Sequence, residues 1–82
     1  MSNVNNKALV EHLAKSVVTE PDAVSVEFRT EREGLTFYIT VSPNDVGKII
    51  GKNGRVIAAI RQFVSAALGK QRKRAFVKVQ AD

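Results

Sequence analysis

Near the start of the chain, apolar residues return at helical intervals. Leu9, Val10, Leu13 and Val17 share one stripe, while Lys7, Glu11, Lys15 and Ser16 fall largely outside it. The spacing predicts an amphipathic helix over 5–19. Asn5 or Asn6 is placed to cap its start, and Pro21 marks its end, because the residue before a proline is pushed out of the helical region. Residues 1–5 are expected to be flexible. Over 23–30 the period changes from helical to two, with Val24, Val26 and Phe28 on one face and Ser25, Glu27 and Arg29 on the other. Glu31-Arg32-Glu33-Gly34 reads as a polar turn. Alternation then resumes, Leu35, Phe37, Ile39 and Val41 against Thr36, Tyr38 and Thr40, so the two runs predict a hairpin with one apolar face.

Ser42-Pro43-Asn44-Asp45 has the order of a helix start, with Ser42 as N-cap, proline in the first turn and an acid to suit the helix dipole. A short helix is expected to follow as far as Ile50, with Val46, Ile49 and Ile50 toward a sheet and Gly47 leaving its other side open to close approach. After Gly51-Lys52-Asn53-Gly54 a longer helix is predicted over 55–68, closed by Gly69. Val56, Ile57, Ile60, Phe63, Val64, Ala67 and Leu68 form its apolar arc, and Ala58, Arg61 and Ser65 face out. Lys70-Gln71-Arg72-Lys73-Arg74 is a basic connector, and Ala75, Val77 and Val79 alternate with Phe76, Lys78 and Gln80 as a last strand. The order is α-β-β-α-α-β. A link containing two helices is long enough to join parallel neighbours, so an α+β domain is expected, a three-stranded mixed sheet with three helices on one face.

Composition narrows what such a domain does. Its 82 residues, 44% hydrophobic and 26% charged, make one ordinary globular domain, 1–82. A domain of this size buries only about 60% of its unfolded surface. With no Cys, disulfides and thiolate metal sites are excluded, which suits the cytoplasm. Neither a secretory leader nor a membrane span is read in the chain. No cofactor is expected, and His12, the single histidine, lacks a second ligand or carboxylate at a useful spacing and reads as a helix-surface residue. No nucleophile–base pair, metal-ligand cluster or paired acids at helical spacing is present, so an enzyme is not expected.

The net charge of +5 is unevenly spread. Residues 1–45 hold four basic against seven acidic side chains, a net of −3, whereas 46–82 hold nine basic side chains against Asp82 alone, a net of +8. The basic half also holds the glycine turn. Clustered Lys and Arg gain affinity by releasing counterions from a polyanion; the same charge can simply keep a surface solvated.

Three readings compete for Gly51 to Gly54. As a P-loop it fails, since three residues rather than four separate Gly47 from Gly51, Asn53 stands where a Ser or Thr would hold Mg²⁺, and a helix precedes it. As a plain helix–helix corner, its glycines satisfy geometry alone. The third reading rests on the longer pattern Val46-Gly47-x-Ile49-Ile50-Gly51-x-x-Gly54-x-x-Ile57-x-x-Ile60. This closely resembles the signature of KH domains, whose GXXG loop clamps the backbone of about four nucleotides. The predicted element order is that of the type II KH fold, so the resemblance spans nearly the whole chain. Pro21-Asp22-Ala23 and Asp45-Val46-Gly47 look like the small bacterial KhpA family.

The resemblance implies a non-enzymatic protein that binds single-stranded RNA. The clamp falls on Gly51, Lys52, Asn53 and Gly54, with Gly47, Lys48 and Arg55 beside it. Gly47 and the short helix would form one groove wall, Val77 and Lys78 the other. The resemblance further implies post-transcriptional regulation or RNA-chaperone activity, linked to cell envelope and cell shape. It also implies self-association or pairing with a second KH-containing protein. Phe63, with Ile60 and Ala59 nearby, is the candidate dimer surface, its alternative being ordinary core packing. In a competing reading the protein is an interaction subunit whose partner makes most RNA contacts.

Overall fold

The computed structural model describes residues 3–32, 34–68 and 74–82. The first helix, α1, spans Asn3–Lys15. Asn5 and Asn6 therefore lie inside it rather than capping it, and it stops well before Pro21. Its end is set at Ser16, whose amide is shared between the carbonyls of His12 and Leu13 (3.2 Å each) and whose hydroxyl donates to Leu13 O at 2.6 Å. Pro21 instead opens a 3₁₀ turn, Pro21–Ala23, in which its fixed φ suits the first position. Val10 and Ala14 of α1 reach the core, while Val17, beyond the helix, is exposed.

Strands β1 (Ser25–Glu31) and β2 (Gly34–Val41) pair antiparallel from Ser25 opposite Thr40 to Glu31 opposite Gly34. Strand β3 (Arg74–Ala81) lies parallel to β2, from Gly34 beside Arg74 to Val41 beside Ala81. The sheet order is β1-β2-β3, mixed and three-stranded, with β2 in the middle. Between β2 and β3 the chain passes through α2 (Val46–Ile50) and α3 (Arg55–Leu68). The crossover that parallel pairing requires is thus made by two helices. The element order is the expected α-β-β-α-α-β.

All three helices pack on one sheet face. The core joins Val10 and Ala14 of α1, Val24 and Val26, the four alternate residues Leu35, Phe37, Ile39 and Val41 of β2, Ile49 of α2, and Ile60 and Val64 of α3. Phe28 and Phe37 meet as tilted rings with centroids 4.9 Å apart, a favoured arrangement that adds to their area burial. Because β2 is central, its inward side chains are covered by helices above and by both flanking strands. That explains why Phe37, Ile39 and Val41 are wholly buried. Three expectations about helix faces change. Ile50 does not face the sheet but stands 39% exposed, Phe63 leaves the α3 arc at 47% exposed, and Ala58 is half-buried rather than outward. The Gly69 cap, residues 70–73 of the basic connector and the side chains of Ala67, Leu68 and Arg74 lie outside the described residues, while the backbone of Arg74 opens β3.

Candidate nucleic-acid interface

Residues Lys52–Gly54 form one 3₁₀ turn at the corner between α2 and α3. Gly51 ends α2 at φ 78°, its amide bonding to Gly47 O at 2.8 Å, and the Gly54 amide bonds to Gly51 O at 3.1 Å. Asn53 (φ 58°) and Gly54 (φ 73°) are both left-handed. Asparagine is among the few non-glycine residues that tolerate that region, which explains its place beside the glycine. The corner therefore presents a short, exposed backbone with Lys52 and Asn53 at its tip.

The three glycines of this region are glycine for different reasons. At Gly51 a Cβ would lie 2.4 Å from Val56 Cγ2 and 2.9 Å from Val56 N, at positive φ, so the fold itself demands glycine. At Gly54 the space is open and only the positive φ excludes a side chain. At Gly47 neither applies: its φ is not positive, nothing lies within 4 Å of a Cβ, and the residue is exposed inside a helix. A helical glycine costs stability, so the fold gives no reason for Gly47. Gly51→Ala is expected to destabilise the protein by on the order of 2–4 kcal/mol, read as a lowered melting temperature, from left-handed strain plus the Val56 overlap.

Electrostatics separate the two halves of the chain. Among the described residues, ion pairs join Lys15 to Glu11 at 3.1 Å and Arg29 to Glu27, both in the acidic half. Lys48, Lys52 and Arg55 are exposed and enter no ion pair among the described residues. Three cations thus surround the turn with their charge available to a ligand. The first amides of α3 add a partial positive charge, since amides in a helix's first turn have no intrahelical acceptor.

Strand alternation divides the expected second groove wall. Val77 turns toward the helices and packs on the core, while Lys78 lies on the bare sheet face, its Nζ 5.7 Å from the centroid of the Tyr38 ring. Arg29 approaches the same ring at 5.0 Å. Adjacent residues of a strand point to opposite faces, so Val77 and Lys78 cannot line one wall together. Lys78 is not brought to the loop. Ile60 is also displaced from its expected role: it is 5% exposed and belongs to the core, leaving Phe63 and Ala59 as the outward members of that trio. The remaining predicted residues, Gly47, Lys48, Gly51, Lys52, Asn53, Gly54 and Arg55, are gathered at the α2–α3 corner. Tyr38 and Phe76, on the outer phase of their strands, are half-buried on the bare sheet face.

Asp45, expected as an acid suited to the helix dipole, is turned to a different use. It sits where a helix cap would be, yet makes no side-chain bond to its own helix. Its carboxylate is fully buried and turns back to the segment before β1. Oδ1 accepts from the Thr19 amide at 3.0 Å and the Thr19 hydroxyl at 2.8 Å, and Oδ2 accepts from the Glu20 amide at 3.0 Å. Burial pushes its pKa up, but the bonds from Thr19 and Glu20, with the charge of Lys48, outweigh burial and hold it below the usual aspartate value. Its contribution to folding is therefore complete above the ordinary aspartate range and is lost as pH falls through the lower folded value.

A three-stranded mixed sheet covered by three helices, with a Gly-x-x-Gly turn between the second and third, defines a type II KH domain. The family model described as KhpA/KhpB, KH domain matches residues 7–79, and the chain belongs to that family. Its curated relatives include the RNA-binding protein KhpA of Clostridium acetobutylicum, 42% identical over 73 residues, covering 89% of this chain and 97% of the relative. The RNA-binding protein KhpA of Halalkalibacterium halodurans is 44% identical over 68 residues, covering 83% and 90% of the two chains. Both are named RNA-binding proteins. Among solved structures, the chain resembles Era in complex with MgGDPNP and nucleotides 1506–1542 of 16S ribosomal RNA. The TM-score is 0.63 and the identity 25%, over 94% of this chain but only 31% of Era. The likeness is thus to one part of that larger protein. No helix among the described residues is long and apolar enough to cross a membrane.

Proposed function

We propose that this protein binds single-stranded RNA by holding its sugar-phosphate backbone against the Gly51–Gly54 turn. The observation that carries the reading is the exposed, largely left-handed turn ringed by Lys48, Lys52 and Arg55, none of them in an ion pair among the described residues. Membership of a family whose relatives are named RNA-binding proteins supports it. Lys52 supplies charge at the tip, and the first amides of α3 and the turn donate to phosphate oxygens. The missing side chain at Gly47 lets a nucleotide lie against α2. Such contacts position RNA without choosing its sequence; choice falls to the groove beside the turn. Lys78, on the other sheet face, is left out of this site.

A single KH module holding about four nucleotides binds weakly, and joining two modules raises affinity through effective concentration. Phe63 is the residue offered for self-association or for pairing with a second KH-containing protein, because a large apolar side chain 47% exposed on α3 is left without cover. The Phe63→Asp variant is expected to run as a monomer and to retain less RNA; an unchanged size in solution would remove Phe63 from the interface. The wider role, regulation or chaperoning of RNA in the cytoplasm with consequences for cell envelope and shape, rests on the family resemblance. Crosslinking in cells with sequencing of bound RNA tests the main reading. Loss of crosslinks on replacing Lys52 and Asn53 by Asp is expected, and unchanged crosslinks from a folded variant would transfer RNA contact to the partner.

A further inference from the structure

We propose that Asp45 is a positioning residue for the RNA-binding turn, its buried carboxylate fastening the start of α2 to Thr19 and Glu20 so that the turn at the other end of α2 keeps its pose. The proposal rests on the RNA-binding reading given above. Helix α2 has only five residues and cannot hold its own shape or place, since helices so short are unstable alone. Gly47 contributes no side chain to packing, Lys48 and Ile50 are exposed, and Val46 is half-buried. Ile49 is its one fully buried residue. Val46 and Ile49 hold α2 against the core but leave its direction loosely set, because hydrophobic attraction has no direction.

Direction comes from Asp45. Three hydrogen bonds of 2.8–3.0 Å to donors 25 and 26 residues away fix where α2 begins and how it is turned. The backbone of Thr19 and Glu20 leads directly into the Pro21–Ala23 turn and then β1, so the carboxylate refers α2 to the sheet. A residue in capping position that leaves its own helix uncapped and reaches this far is placed for the distant contact.

The test compares Asp45→Asn, Thr19→Val and a control, Val26→Ala, which opens the core in β1 away from α2. Asparagine keeps the size of the side chain but faces one of the amide donors with its own NH₂ group, and valine removes only the Thr19 hydroxyl. Affinity for a single-stranded RNA oligonucleotide is measured where every variant is folded, together with amide exchange of residues 46–55. Asp45→Asn is expected to bind about ten-fold more weakly and to exchange faster at α2 and the turn, because a loosened support misplaces the site it carries. Thr19→Val should fall between it and wild type and keeps the test alive if the asparagine variant does not fold. Val26→Ala should lower the melting temperature at least as much yet keep affinity within about two-fold, as mutations distant from a site ordinarily do. Equal loss of affinity in Asp45→Asn and Val26→Ala, or wild-type affinity in Asp45→Asn, would overturn the positioning role. If wild type itself binds no RNA, the RNA-binding reading fails, and unchanged exchange over α2 in Asp45→Asn would still overturn the positioning role separately.

Discussion

Replacing Lys52 and Asn53 together by Asp is expected to weaken binding of a single-stranded RNA oligonucleotide at least about ten-fold, some 1.4 kcal/mol or more, while leaving the fold intact. Lys52→Asp removes two units of charge and Asn53→Asp one, so the net charge of +5 falls to +2 with the whole change placed at the tip of the turn. One charge-assisted bond to phosphate is lost and two carboxylates are brought against it. The backbone should not suffer, because Asn53 is left-handed (φ 58°) and Asp tolerates that region nearly as well as Asn. Both side chains are exposed, so no core contact changes. The salt dependence should change too. Each phosphate neutralised on a single strand contributes about 0.7 to the slope of log affinity against log salt, and the variant's slope should be shallower by at least that amount. Fluorescence anisotropy at several salt concentrations reads both effects.

Gly47→Ala is expected to move stability and binding in opposite directions. Alanine inside a helix is favoured over glycine by about 0.5–1 kcal/mol, which in a domain of this size raises the melting temperature by about 2–8 °C. Nothing within 4 Å of the added Cβ opposes the gain. RNA affinity should nevertheless fall, because the new methyl group stands where the ligand approaches α2. The proposed RNA contact along α2 would account for a glycine that costs stability in an exposed helix and has no internal contact to explain it. A scanning calorimetry trace beside an RNA titration gives both numbers, and an alanine variant that is more stable and binds as well as wild type would remove Gly47 from the site.

The architecture was legible because its signals are local. A period of two over Val24–Phe28 and over Leu35–Val41 needs only neighbouring residues to be seen, and the sheet pairs both runs as expected. The α3 bounds are those the periodicity implied. The Gly51–Gly54 turn was visible for the same reason, as two glycines interrupting a helical rhythm in the basic half. What stayed hidden depends on partners distant in sequence. Nothing near Asp45 announces Thr19 and Glu20, so a local reading makes it a dipole-complementing acid, and only the folded chain shows the buried carboxylate with three donors. Ile50 and Phe63 illustrate a second limit. Hydrophobic spacing identifies a stripe but not how wide a sheet is available to cover it, and a three-stranded sheet leaves both partly exposed. Val77 and Lys78, expected together near one wall, alternate along β3, so Val77 packs on the core while Lys78 lies beside Tyr38 on the other face.

The proposed mode of binding requires RNA to meet the chain at the α2–α3 corner. A titration of ¹⁵N-labelled protein with a short single-stranded RNA, followed amide by amide, tests that most directly. The predicted result is that the largest shifts fall on Gly47, Lys48 and Gly51 through Val56, with the bare sheet face around Tyr38 and Lys78 little changed. Shifts centred on that sheet face, with the turn unmoved, would contradict it.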